Sequence, residues 1–151
     1  MPEGGPANLG PKIILSVDFG RKRIGIASGD TLTRTAHPRT TISYGQHGPD
    51  WPALERILAD IRPARIAVGE PYNADGSESP LTGAARRFAT ELARRSGLPV
   101  DLVDERWSSQ DAEERLRDER ASGDRKRRVT REAIDAAAAA VILERWFEQK
   151  T

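Results

Sequence analysis

The stretch IILSVDFGRKRIGIASGD, residues 13–30, decides how the chain is read. Residues 13–17 are apolar except for Ser16, and the run stops at Asp18. A short apolar run bounded by a turn predicts a buried strand. Phe19-Gly20-Arg21-Lys22 reads as that turn, and residues 24–28 as the returning partner strand. A carboxylate at the end of the first strand then projects from a sheet edge instead of entering the core.

Working outward, the Thr-rich residues 33–42 predict a third extended segment. Residues 43–50 hold two glycines, a proline and an aspartate, and read as a loop. A helix is predicted over 51–61, with Pro52 in its first turn and Leu54, Ile57, Leu58 and Ile61 on one face. Strand 66–69, polar loop 70–81 and helix 82–96 follow, the helix closed by Gly97. After strand 100–103, Ser108 or Ser109 caps a helix that runs to about Glu119. A basic linker, 121–128, leads into a last helix over 130–147. Antiparallel first strands feeding alternating helices and strands imply an α/β fold, with a mixed five-stranded sheet flanked by helices. One domain over 12–149 is expected, after a Gly- and Pro-rich leader, 1–11, that reads as disordered.

Composition narrows the classes. The 151 residues carry 24 basic and 23 acidic side chains, a formal charge of +1, so net charge does not announce a nucleic-acid binder and only a local patch can. Cysteine is absent, which excludes disulfides, thiolate metal sites and cysteine nucleophiles. The opening residues lack the pattern of a signal peptide, and no apolar run approaches a membrane span. A soluble cytoplasmic protein with no membrane partner is the expectation.

The acids fall in a pattern. Asp18 closes the first strand, Asp104 and Glu105 follow the strand at 100–103, and Asp135 lies near the start of the last helix among small residues. Small neighbours let a helix approach a sheet closely enough for its carboxylate to reach the other two. Carboxylates on separate elements suit a hard divalent cation, Mg²⁺ or Mn²⁺, because such ions take oxygen ligands. Two such ions can activate water and stabilise the leaving oxygen in phosphodiester hydrolysis. Taken singly, each acid is equally at home in a turn or at a helix start. Lys22 and Arg23 follow Asp18, while Arg125, Lys126, Arg127 and Arg128 precede Asp135. Both basic groups flank the acids, where they can hold a phosphate backbone. Arg106 suits a phosphate or a structural ion pair. Trp51, Trp107 and Trp146 read first as packing residues.

Four blocks, VDFGRKRIGIASGD, IAVGEPYNADGSESPLT, LPVDLVDERWSSQDAEERL and KRRVTREAIDAAAAAVILERWF, together resemble the YqgF/RuvX family over residues 13–147. The resemblance implies an RNase H-like fold related to Holliday junction resolvases. It also implies a nuclease trimming the 5′ end of pre-16S ribosomal RNA, with the ribosomal precursor particle as partner. Carried onto this chain, the catalytic and metal-binding acids are Asp18, Glu105 and Asp135. Lys22, Arg23, Arg106 and Ser108 fall in the matching blocks as nucleic-acid contacts, beside the Arg125–Arg128 linker. The family's VGLP is VGEP here, which makes Glu70 either an auxiliary metal ligand or an exposed substitution. Cleavage of branched DNA and a non-catalytic RNA-binding role in ribosome assembly are the alternative functions.

Overall fold

Residues 10–20, 22–104 and 130–149 are described by a computed structural model. Strand β1 (Ile13–Asp18) pairs antiparallel with β2 (Arg23–Asp30), and β2 with β3 (Ala36–Gly45). Strands β5 (Arg65–Glu70) and β6 (Val100–Asp104) add on the other side of β1, both parallel to their neighbours. With β4 (Gly48–Pro49) the sheet has six strands in the order β4-β3-β2-β1-β5-β6. The mixed sheet agrees with the sequence, but it has one strand more than the expected five. Segment 43–50 supplies the extra strand: β3 runs on to Gly45, and Tyr44 and Gly45 pair with Pro49 and Gly48. Gly48 takes a φ of 98°, which an L side chain rarely adopts, and so turns the chain back on itself. Two residues of strand are too short to leave a periodic signal.

Helices α1 (Trp51–Ile61) and α2 (Pro80–Ser96) cover one face of the sheet, and α3 (Arg131–Gln149) covers the other. Successive strand residues point to opposite faces, so a strand buried on both sides must be apolar throughout. In β1, Leu15 and Val17 join the α1/α2 core with Ile24, Ile66, Leu54 and Phe88, while Ile14 packs with Ile142, Leu143 and Trp146 of α3. Phe19, expected in a turn, is buried against Tyr44 and Phe88 at ring-centroid distances of 5.4 and 4.9 Å.

Helix α1 starts at Asp50, whose carboxylate accepts from the Ala53 amide at 3.1 Å. Helix α2 begins two residues earlier than the periodicity predicts, because the Ser79 amide donates to the Thr82 hydroxyl at 3.0 Å and fixes the entry. Ala136, Ala137, Ala138, Ala139 and Ala140 are all buried, and their small side chains let α3 lie close to β1 and β2. The buried Ser16 hydroxyl donates to the Ala139 carbonyl at 2.6 Å, a direct tether from the central strand to the helix. Among the described residues no helix is long and apolar enough to cross a membrane.

Candidate active site at one edge of the sheet

Three parallel strands finish together. Val17 is level with Val68, and Glu70 is level with Asp104, so Asp18, Glu70 and Asp104 close their strands on the same edge. The antiparallel hairpin brings the start of β2 to that edge as well, with Asp18 opposite Gly25. Helix α3 reaches the same place. A Cβ added to Gly25 would lie 2.1 Å from the Asp135 carbonyl oxygen and 2.5 Å from its carbon. Only glycine permits this contact, so the backbone of Asp135 rests on the strand position facing Asp18.

Arg23, two residues before Gly25, donates from Nε to Asp135 Oδ2 at 2.7 Å, across a separation of 112 residues. The side chains are 24% and 27% exposed, so the pair is open to solvent. This bond, reinforced by the Asp135 charge, raises the Arg23 pKa above its ordinary value. Lys22 is exposed beside the pair, and its carbonyl accepts from the Tyr44 amide at 2.9 Å.

Glu70 has a different setting. Its carboxylate accepts from Arg86 Nε, and the same guanidinium reaches Glu78 at 3.0 Å and the Tyr72 hydroxyl at 3.3 Å. Bonds to Glu70, then Glu78 and Tyr72, raise the Arg86 pKa. Burial pushes the Tyr72 phenol up, and its hydrogen bond to Glu70 adds to the shift. Arg86 therefore clasps β5, α2 and the loop between them. Within that loop Asp75 accepts from the Ser77 amide and hydroxyl, the latter at 2.6 Å, and the hydroxyl bond is the main reason its pKa is lowered. The polar residues of the loop are thus engaged with one another.

Of the expected site residues, Asp18, Asp135, Lys22, Arg23 and Glu70 gather at this edge. Glu105, Arg106, Ser108, Arg125, Lys126, Arg127 and Arg128 lie outside the described residues. Glu105 directly follows Asp104, whose carbonyl accepts from Arg145 of α3 at 3.1 Å. Among the described residues no three acids or histidines form a metal-holding group. The donors present are nevertheless of the type a hard divalent cation takes: carboxylates on β1 and α3, elements brought to the same edge by the backbone contact at Gly25. Two features escaped the sequence reading, the Arg23–Asp135 bond and the Arg86 clasp. The only signal for either was a basic residue near an acid-bearing block.

The family model of RuvX, described as a Holliday junction resolvase, matches residues 12–149. A Xanthomonas campestris protein named "Putative pre-16S rRNA nuclease" is 46% identical over 147 residues, covering 97% of this chain and 94% of that protein. A Xanthomonas oryzae protein of the same name is also 46% identical over the same shares of the two chains. In fold, Thermus thermophilus RuvC in complex with a Holliday junction substrate aligns with a TM-score of 0.55 at 19% identity, over 91% of this chain and 95% of that one. That likeness is one of fold, and it agrees with an α/β sheet of the RNase H-like class. With a match over nearly its whole length, the chain belongs to the RuvX family.

Proposed function

We propose that this protein is a divalent-metal-dependent nuclease that hydrolyses phosphodiester bonds of RNA in the 5′-end maturation of pre-16S ribosomal RNA. The observation that carries the reading is the seating of Asp135 on Gly25, opposite Asp18. That contact gathers acids from the first strand and the last described helix at one solvent-open edge. The substrate follows the names of the Xanthomonas relatives. On this reading the protein works on ribosomal precursor particles in the cytoplasm.

Asp18, Glu105 and Asp135 are assigned to hold Mg²⁺ or Mn²⁺, with Glu70 kept by Arg86 as a neighbouring acid. When bound, such ions activate water for attack on phosphorus and stabilise the departing oxygen. The chain's own part is to fix the carboxylates on rigid elements and to hold the flanking phosphates. Lys22, Arg23, Arg106, Ser108, Arg125, Lys126, Arg127 and Arg128 are assigned to those phosphates. Fixed carboxylates on β1 and α3 spare the site a reorganisation at the moment of reaction.

The test is cleavage of a 5′-extended pre-16S RNA fragment by purified protein with Mg²⁺ or Mn²⁺. A branched DNA junction and an Asp18→Asn/Asp135→Asn double variant run beside it. Cutting of the RNA that disappears in the double variant is the expected outcome. Cutting of the junction alone would transfer the assignment to branched DNA, the substrate named in the family's description. RNA that binds tightly and stays intact under every condition would make the protein an assembly factor.

A further inference from the structure

The bond between Arg23 and Asp135 has a chemical oddity. An acid assigned to hold a cation already holds one, supplied by the chain itself. The contact joins Nε to a single carboxylate oxygen at 2.7 Å, and both side chains are about one-quarter exposed, at 24% and 27%. Among the described residues Asp135 is the ion-pair partner of Arg23. Arg86 offers the contrast. It is shared among Glu70, Glu78 and Tyr72, so releasing one acceptor leaves two in place. Arg23 sits at the first residue of β2, two positions from the glycine against which the Asp135 carbonyl packs. Its backbone is fixed while its side chain keeps a solvent-side route.

We infer that Arg23 is an internal counter-ion for Asp135, displaced when a divalent cation binds there and thereby released to take a phosphate of the nucleic acid. This rests on the proposed metal site, and it assigns Arg23 a positioning role coupled to loading of that site. The physical logic is short. Acids gathered on one edge repel one another when no cation is present, and a guanidinium on Asp135 relieves part of that repulsion. A solvent-open ion pair is held weakly enough to exchange. Once a divalent cation occupies Asp135, the like charge of Arg23 is driven outward, towards the side from which a phosphate backbone approaches. Metal binding and phosphate binding then favour each other, because the first vacates the group that the second uses.

The test uses the intact protein, its Arg23→Gln and Arg23→Lys variants, and three readouts that do not depend on turnover. Calorimetric titration with Mg²⁺ and with Mn²⁺ should show Arg23→Gln binding the ion about three- to tenfold more tightly than the parent, with Arg23→Lys in between. The side-chain Nε–H resonance of Arg23 in a ¹⁵N-labelled sample should shift on adding Mg²⁺, towards its position in metal-free Asp135→Asn. Anisotropy of a short single-stranded RNA should show that Ca²⁺ tightens binding to the parent about three- to tenfold, a gain lost in Arg23→Gln. Equal metal affinity in parent and Arg23→Gln, or an Nε–H resonance that metal leaves in place, overturns the exchange and leaves the metal site standing. No uptake of either ion by any form would remove the metal site and this inference together.

Discussion

Replacing Gly25 with alanine puts a methyl group 2.1 Å from the Asp135 carbonyl oxygen and 3.1 Å from the Ala136 amide nitrogen. Both obstacles are backbone, so no side chain can swing aside. A carbon so placed needs at least 3.0 Å, and α3 must retreat from β2 by about 1 Å. The helix is otherwise tightly seated through buried alanines and the Ser16 tether, so retreat strains the whole interface. Overpacking of this kind costs about 2–3 kcal/mol. For a domain of this size that is a fall in Tm of roughly 4–12 °C. The second effect is on the site, because the helix that moves carries Asp135. A misplacement of about 1 Å costs on the order of 100-fold in rate. Gly29→Ala is the matched control. Its added carbon meets the Thr35 carbonyl oxygen at the same 2.1 Å, but at the opposite end of β2. Thermal melts followed by circular dichroism and RNA cleavage rates per folded molecule separate the two effects. Both variants should lose stability, and only Gly25→Ala should lose cleavage. A Gly25→Ala protein with the parent's Tm and rate would refute the close approach and the site built upon it.

Two further perturbations test the surroundings. Ser16→Ala removes the buried donor to the Ala139 carbonyl and should cost about 1–2 kcal/mol in urea denaturation, with the m-value unchanged. An unaltered midpoint would show that the tether does not hold the helix. On the outer face of α2, Glu91 is pushed down to about 2, first by its hydrogen bond from Arg94 and then by Arg95. Its pKa is lower in the folded chain than in the unfolded one. Its contribution to stability is therefore present above the ordinary carboxylate range and is lost as pH falls through about 2. Glu91→Gln should flatten the acid limb of the stability profile between those limits, modestly, since the pairs are exposed. A Glu91 carboxyl that titrates near its ordinary value by ¹³C NMR would remove the basis for this.

The hairpin of β1 and β2 was legible because an apolar run, a turn and a second apolar run leave few alternatives, and the three described helices because their apolar residues recur at helical spacing, while the helix expected from Ser108 or Ser109 to about Glu119 lies outside the described residues. The closeness of α3 was legible in part, from the run of five small residues beside Asp135. What was not legible are meetings of residues far apart in the chain. Arg23 and Asp135 are 112 residues apart, and nothing local to either names the other. Phe19 looked like a turn residue because it adjoins Gly20, yet it closes an aromatic cluster with Tyr44 and Phe88. Ser16 interrupts an apolar strand for a reason that lies on a helix over 120 positions away. Gly25 could be matched to a block, but its necessity is the carbonyl of Asp135. The strand at Gly48–Pro49 was hidden by its own turn residues.

The strand that ends in Asp18 is near the start of the chain, and the helix that seats Asp135 is the last element described. At a synthesis rate of about 5–20 residues per second, the interval between them is roughly 5–25 s. Throughout it α3 is not there to cover Ile14 and Ala27, and the edge lacks Asp135. A nascent chain on the ribosome is in that respect unarmed. For an enzyme proposed to cut the precursor of the ribosome's own RNA, the order of its elements delays assembly of the proposed site until α3 has been made and seated.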